Sequence, residues 1–176
     1  MSTKGQMWLI EFSFACIIFF TALLLFYRVF PAMKMEQEYG LDKVYFEAKV
    51  IAESIDTLGI PSNWSENDVK RIGIIQDGRN ISDEKVKILQ NLSEERYQFS
   101  KNILGIGSDY IIYFLNSSDN PISINGVNII GRSDIGIIGG TEHTNLSKIK
   151  INNLVEIRRI LLFDRKPVKV VINAWN

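Results

Sequence analysis

The sequence predicts an α+β fold in which a long N-terminal helix, transmembrane at first and then amphipathic, packs on a C-terminal antiparallel β-sheet. Three observations support this fold class. Residues 7–27 are almost continuously apolar, residues 41–58 repeat apolar side chains at spacings of three and four, and β-branched and aromatic runs follow residue 105. The change from a helical to a strand-like period places helices first and the sheet last.

The apolar segment is long enough to cross a membrane. At about 1.5 Å per residue, a helix over residues 7–27 spans roughly 31 Å, close to the thickness of the hydrocarbon core of a bilayer. A secretory signal peptide has a shorter apolar region and a small-residue cleavage site, and residues 23–27, LLLFY, offer none. We therefore expect a retained, single-pass anchor.

One acid, Glu11, interrupts the apolar segment near its start. An ionised carboxylate in an apolar helix costs on the order of 3 kcal/mol even on lenient insertion scales, so it marks a functional candidate that needs a partner. The alternative is that Glu11 lies near the membrane interface and reaches water.

A second helical segment follows Pro31, which we expect to kink or interrupt the helix because proline removes a backbone donor and clashes with the preceding turn. Its apolar stripe predicts packing on a sheet or another helix. The stripe comprises Leu41, Val44, Ala48, Ile51, Ile55 and Leu58. The charged residues expected on other faces are Asp42, Lys43, Glu47, Lys49, Glu53 and Asp56. A short coiled coil is the alternative, but fewer than three heptads without an e/g charge code favour packing on its own domain.

Residues 59–105 are predicted to form a helical insertion. The sequence GIP at residues 59–61 ends the preceding helix with a glycine followed by a proline, and Trp64 is available as an anchor against the stripe. Ser82 and Ser93 are predicted helix N-caps, because each precedes a short amphipathic pattern with acids in its first turn.

The remaining residues, 106–176, predict an antiparallel sheet. Residues 110–115 are a β-branched and aromatic run, SSDNP breaks it, and INGVN predicts a tight turn. Two further strand-like runs, 154–163 and 168–175, flank a turn at 164–167 and predict a terminal hairpin.

The residues KGQMWLIEF, 4–12, resemble the class III (prepilin-type) signal peptide of archaeal type IV pilin-like proteins. The resemblance implies that a prepilin peptidase in the membrane cuts between Gly5 and Gln6, on the cytoplasmic side of the helix. In bacterial pilins a glutamate at the fifth mature position is thought to neutralise the N-terminal ammonium of a neighbouring subunit. A cut after Gly5 makes Glu11 the sixth residue, so this match is displaced by one position.

The order of elements, a long helix followed by an antiparallel sheet, is also similar to that of type IV pilin-like subunits. The resemblance implies these divisions: a leader at 1–5, a transmembrane or filament-core helix at 6–30, and an extracellular pilin-like domain at 31–176, which comprises the amphipathic helix 31–58, the helical insertion 59–105 and the sheet 106–176. It also implies a non-enzymatic filament subunit, a major or minor pilin, that assembles with other pilin subunits at the cell surface and serves adhesion. The alternative is a single-pass surface domain that binds a ligand or partner without polymerising.

Candidate glycosylation sites support an outward-facing domain. Five Asn-X-Ser triplets all follow the apolar segment and begin at Asn63, Asn80, Asn91, Asn116 and Asn145. The alternative is that an asparagine-rich chain produces such triplets by chance. The positive-inside rule favours the opposite orientation, because Arg28 and Lys34 follow the helix while Lys4 precedes it. We give more weight to the signal-like residues and the triplets.

Composition argues against several other functions. Twenty basic and twenty acidic residues cancel, and without a basic run they predict no nucleic-acid binding. Cys16 is the only cysteine, so no intrachain disulfide forms. The residues around His143 contain no metal-ligand pattern, and the glycine-rich GIGS at Gly105 and GIIGG at Gly136 lack a phosphate-binding setting and predict turns. We therefore expect no cofactor and no catalytic residues; an envelope-bound enzyme would require a polar cleft that sequence spacing does not reveal.

Overall fold

The computed structural model describes residues 3–132 and 151–176, and within the first helix it describes side chains at residues 8, 10–28 and 40–55. The chain forms two compact units, Met1–Gly40 and Leu41–Asn176. The first belongs to one long helix, and the second contains the sheet, two further helices and the end of the long helix.

Helix α1 runs from Thr3 to Ile55 without a break at Pro31. The predicted interruption is therefore wrong. A proline inside a helix costs about 3 kcal/mol, and the long helical segments on both sides outweigh this local cost.

The second half of α1 presents a buried face to its domain. The central residues of the predicted stripe, Val44, Ala48, Ile51 and Ile55, are fully buried. Its end members are not, because Leu41 is 46% exposed and Leu58, which follows the end of the helix, is 44% exposed. Glu47, predicted on a solvent face, is only 7% exposed. Its carboxylate accepts a hydrogen bond from the backbone of Ser108, which explains this difference.

Two short helices follow, α2 at Asp83–Glu95 and α3 at Tyr97–Leu104. The predicted cap at Ser82 is confirmed, since its hydroxyl accepts a hydrogen bond from the Lys85 N–H at 3.4 Å. Two acids occupy the first turn of α2, where the helix dipole favours negative charge.

The second predicted cap, Ser93, is wrong. Helix α2 continues through Ser93, and α3 begins only after Arg96, whose side chain makes no capping hydrogen bond. The Ser93 hydroxyl instead donates to the Gln90 carbonyl at 2.8 Å and accepts from the Gly131 N–H at 3.1 Å. A partner distant in sequence therefore replaces the local capping role.

Within residues 3–132 and 151–176, seven strands form one sheet. They are β1 Ile75–Asp77, β2 Asn80–Ile81, β3 Asp109–Leu115, β4 Pro121–Ile122, β5 Ile129–Gly131, β6 Leu154–Phe163 and β7 Lys166–Trp175. The order is β1-β2-β6-β7-β3-β4, and β5 also pairs with β3. The sheet is mixed rather than antiparallel, because β2 pairs parallel with β6 while the other pairings of described strands are antiparallel. Strands β1 and β2 lie within the predicted helical insertion; they are too short to produce an alternating pattern.

The inward face of the central strands β3 and β7 forms one side of the hydrophobic core. Their inward-facing residues are Tyr110, Ile112 and Phe114 on β3 and Val168, Val170, Ile172 and Ala174 on β7. These side chains and the buried face of α1 belong to one hydrophobic cluster. The predicted packing of the amphipathic half of the helix within a sheet-containing core is confirmed.

Both predicted tight turns are present. Asn125 and Gly126 have φ values of 51° and 77°, and Asp164 and Arg165 have φ values of 51° and 62°. Positive φ at both central residues is typical of two-residue hairpin turns whose twist matches that of the strands. The terminal hairpin is thus confirmed, but its turn has two residues because β7 already begins at Lys166.

Trp64 is confirmed as a buried anchor, at 1% exposure. Its indole N–H donates to the Gly73 carbonyl at 2.9 Å. A Cβ atom on Gly59 would lie 2.5 Å from the Trp64 ring, and one on Gly73 would lie 2.3 Å from the Thr57 carbonyl oxygen. Both positions therefore require glycine for this close packing.

Candidate functional site

The first unit exposes a continuous apolar surface. Trp8 and Tyr27 are each 69% exposed, and Leu23, the least exposed large apolar side chain between them, is 38% exposed. Within the described chain, Ile10–Arg28 is the helix segment long and apolar enough to cross a membrane, with a mean hydropathy of 2.1 and none of it buried. An apolar surface of this size marks an interaction with lipid or with other apolar surfaces.

Two polar side chains on this segment differ in whether they have a hydrogen-bond or ion-pair partner. The Thr21 hydroxyl donates to the Ile17 carbonyl at 2.7 Å, so its polar group is paired inside the helix. The Glu11 side chain is exposed and forms no ion pair with the described part of the chain. Its carboxylate therefore needs water or a cation supplied from elsewhere.

The predicted processing site lies at the very start of α1. The backbone of Gly5 and Gln6 is helical, since the helix begins at Thr3. The first turn of a helix has N–H groups without intrahelical partners and frays readily. Entry into a protease cleft would require only this first turn to unwind.

The asparagine triplets fall into two groups, and the first group lies in turns. Asn63 is exposed, and so is Ser65, the serine of its triplet. The Asn116 side-chain oxygen accepts hydrogen bonds from the N–H groups of Ser118 at 2.9 Å and Asn120 at 3.0 Å. This turn leaves the amide nitrogen, the atom that carries a glycan, outside those two hydrogen bonds.

The second group is held in secondary structure. Asn91 lies inside α2, and Leu92 and Ser93 of its triplet are 0% and 2% exposed. The amide of Asn80 in β2 donates to Asp77 at 2.8 Å. Among these four asparagines, Asn63 is exposed and the other three are partly buried, and Asn116 lies in a turn rather than in a helix or strand.

Several predictions concern turns and metal ligands. The predicted turn at Gly105 is confirmed, since this residue ends α3 with a φ of 72°. His143, Asn145 and the GIIGG segment lie outside the described residues. Residues 3–132 and 151–176 contain no group of three or more His, Cys, Asp or Glu side chains that could hold a metal ion.

An ion network surrounds Asp109, and no pattern in the sequence indicates it. Lys101 Nζ lies 2.9 Å from one carboxylate oxygen, Arg132 pairs with the other, and the Tyr97 hydroxyl donates to the first at 3.2 Å. Burial acts to raise the pKa of Asp109, but the hydrogen bond and charge of Lys101, with the charge of Arg132, outweigh it and lower the pKa. The network fastens α3 to the start of strand β3.

Glu47 makes a second unanticipated polar contact. Its Oε2 atom accepts a hydrogen bond from the Ser108 N–H at 2.7 Å, and Lys43 Nζ lies 4.0 Å from its other oxygen. Burial acts to raise the pKa of Glu47, but hydrogen bonds from Ser108 and Gly107 outweigh it, and the pKa lies below its ordinary value. This carboxylate ties α1 to the connection between α3 and β3.

A cleft of about 500 Å³ lies beside β6 and the β1–β2 turn. Charged side chains of Asp56, Arg79 and Arg159 line it together with apolar ones, including Ile75 and Leu161. The sequence does carry a sign of this site, because Arg159 interrupts the alternation of apolar residues along β6.

No protein-family model, no curated protein and no solved structure matches the chain. The features that bear on its function are the apolar helix, the asparagine triplets and the folded domain.

Proposed function

We propose that this protein is a subunit of a pilin-like surface filament, anchored in the membrane before assembly and processed between Gly5 and Gln6 by a prepilin peptidase. The contrast within α1 carries the proposal. Apolar side chains are exposed all along residues 8–27, whereas the apolar stripe of the second half is buried in its own domain. Soluble monomers rarely expose apolar surfaces of this extent, so the first half needs lipid or other helices.

Before assembly, the bilayer is the solvent of the apolar segment. After assembly, apolar helices of neighbouring subunits replace the lipid, and the domain formed by the rest of the chain covers the outside of the filament. Glu11 would then pair with the N-terminal ammonium of a processed neighbour, because a carboxylate away from water needs a compensating cation. The protein accordingly moves from the cell membrane to an extracellular filament.

The asparagine triplets support an outward-facing domain. Asn63 and Asn116 lie in turns of the second unit rather than inside a helix or strand. The proposed protein is thus a surface glycoprotein with these two residues as preferred acceptors. Its role is structural, both in the filament and in adhesion, and requires no cofactor.

One alternative is favoured by a specific observation. The cleft beside β6 has the charged lining of a ligand site, which suits a single-pass surface domain that binds a ligand without polymerising. Such a domain has no need of cleavage after Gly5. Processing therefore distinguishes the two functions.

The test is the intact mass and N-terminal sequence of the protein from its native envelope. We expect the wild-type chain to begin at Gln6 and a Gly5→Leu variant to remain uncut, because a bulky side chain blocks the cleavage position. A Thr3→Leu variant, with the same bulk two residues earlier, is the matched control and should be cut normally. A wild-type chain that begins at Met1 or Ser2 would overturn the proposal.

A Glu11→Gln variant separates processing from assembly in the same preparations. Loss of one partner of a desolvated ion pair costs about 3–5 kcal/mol, so the amount in sheared filaments should fall at least about tenfold while cleavage continues. Glu53→Gln, an exposed glutamate of the same helix, is the control. Equal amounts of filament from all three proteins would remove Glu11 from the assembly mechanism.

A further inference from the structure

Arg159 occupies a position where β6 should carry an apolar side chain. Ile157 and Leu161, two residues before and after it on the same face, pack in the core. Val170, opposite it on β7, is fully buried. A charged group at such a position costs free energy unless it is paired. The Arg159 side chain is still 37% exposed and lines the cleft.

The guanidinium of Arg159 lacks hydrogen-bond acceptors among the described residues. Its Nε atom is buried and makes no hydrogen bond. The neighbouring acid, Asp56, has its Oδ2 atom 3.8 Å from that nitrogen, beyond hydrogen-bond distance. A buried donor without an acceptor is destabilising. The planar fork of guanidinium donors matches the oxygens of carboxylates and phosphates.

Arg79 supplies a second guanidinium to the same cleft. It is exposed, follows Gly78 in the turn between β1 and β2, and makes no side-chain hydrogen bond with the described chain. Arg158 also borders the cleft, but it is the neighbour of Arg159 along β6, so its side chain points to the opposite face of the sheet, where its Nε atom donates to Glu156 at 2.8 Å. The guanidinium groups on the face of Arg159 that lines the cleft are therefore those of Arg79 and Arg159.

The charge of the cleft favours an anion. Among the described residues, Asp56 is the acidic residue that lines it. Burial raises the pKa of Asp56, although the charges of Arg159 and Arg79 act against this rise. Two guanidinium groups thus face a single carboxylate, which leaves a net positive charge.

The open edge of β6 adds a backbone donor. Strand β2 pairs with β6 only at Leu162, whose N–H donates to the Arg79 carbonyl at 2.9 Å. Backbone groups two residues apart on a strand point to the same edge, so the Ile160 N–H faces this edge as well. No described strand pairs with β6 at that point, and Ile160 lines the cleft. Backbone N–H groups beside cationic side chains are typical of anion-binding concavities.

We propose that this cleft binds the oxyanion of a small ligand, a carboxylate or a phosphate, through the guanidinium groups of Arg159 and Arg79. Ile75 and Leu161 contact the uncharged part of the ligand. A volume of about 500 Å³ lies within the usual range for small-molecule sites. The site lies wholly within the second unit, and the proposal is independent of whether the protein polymerises.

The test uses the full-length protein in detergent micelles at constant ionic strength. Inorganic phosphate and acetate are titrated separately by calorimetry, and chloride at the same ionic strength controls for screening. We expect saturable binding of at least one anion. Arg159→Gln should weaken it at least about tenfold, since a bidentate charge-assisted contact is lost, and Arg79→Gln should weaken it to a smaller extent. Arg71→Gln, an exposed arginine away from the cleft, should change the Kd less than about twofold.

The outcomes separate the two ligand chemistries and the proposal itself. Phosphate binding without acetate binding assigns a phosphate ligand, and the reverse assigns a carboxylate. Thermal unfolding of each variant without added anion shows whether it folds. If Arg159→Gln does not fold, the effect of Arg79→Gln on the Kd decides, because Arg79 is exposed. Absence of saturable binding by both anions, or a Kd that both cleft variants leave unchanged, would overturn the proposal.

Discussion

The two halves of helix α1 place the same kinds of side chain in opposite surroundings. Ile17 in the first half is 61% exposed, whereas Ile51 in the second half is completely buried by its own domain. The acids show the same contrast, because Glu11 is exposed and Glu47 accepts a buried hydrogen bond from Ser108. Helix formation is common to both halves, while burial depends on what each half has to pack against.

The apolar stripe of the second half packs against other parts of the same chain. Strands β3 and β7 and the two short helices surround its apolar stripe, so this half stabilises the folded domain. The first half forms a helix that covers none of its apolar surface by itself. The proposed function supplies its stabilising partner from a membrane before assembly and from further copies of the helix after it.

The largest expected effect comes from matched isoleucine substitutions in the two halves. Ile51→Ala should lower the free energy of unfolding of the domain by about 2–5 kcal/mol, because it leaves a cavity in a packed core. Ile17→Ala should change it by less than about 0.5 kcal/mol, since that side chain contributes nothing to the folded core.

Urea unfolding in detergent, followed by tryptophan fluorescence in a Trp8→Phe background, measures both values. Trp64 and Trp175 then report on the domain alone, because both are buried within it. Equal losses from the two alanine variants would show that the halves are not energetically distinct.

A smaller effect is expected from the buried carboxylate. Glu47→Gln should lower the free energy of unfolding near pH 7 by about 1.5–3 kcal/mol, the range for hydrogen bonds to charged groups. The pKa of Glu47 is lower in the folded protein than its ordinary value of 4.5. Its stabilising effect is therefore fully present above pH 4.5 and is lost as the pH falls through the lowered value.

The measurement is the free energy of unfolding of wild type and variant between pH 7 and pH 3. The difference between them should shrink on acidification. Glu53→Gln, whose glutamate is 58% exposed, serves as the control and should cost less than about 0.5 kcal/mol. A wild-type advantage that is constant with pH would show that the charge of Glu47 is not what stabilises the contact.

The smallest effects on the free energy of unfolding are expected from Ser82, the N-cap of α2, and from Ser93 within α2. Ser93→Ala should lower the free energy of unfolding by at least about 1 kcal/mol, because it leaves the buried Gly131 N–H without its acceptor. Ser82→Ala should cost somewhat less, about 0.5–1 kcal/mol, since its capping hydrogen bond is long at 3.4 Å. Thermal unfolding of both variants compares them, and a larger loss from Ser82 would contradict the assigned roles.

Sequence reasoning was most successful where the determining interactions are local. The apolar segment, the centre of the amphipathic stripe, the Ser82 cap and the two tight turns all follow from spacing and residue type within a few positions. The terminal hairpin belongs to the same group, because its two strands are adjacent in sequence. Each of these features depends on periodicity or backbone preference that a short segment expresses by itself.

The roles of several polar side chains follow from the tertiary structure, because their partners are distant in sequence. Ser93 bonds to Gly131, Glu47 bonds to Ser108, and Arg159 reaches a cleft shared with Asp56 and the turn of Arg79. The parallel pairing of β2 with β6 joins residues about eighty positions apart. Spacing and residue type along the chain were enough for the apolar and amphipathic parts of α1, the Ser82 cap, the terminal hairpin and the tight turns, because neighbours along the chain set these features. The short strands β1 and β2, which are held by pairing, left no such pattern. Only folding determined which polar groups meet, because a partner distant in sequence leaves no periodic trace in the segment it binds.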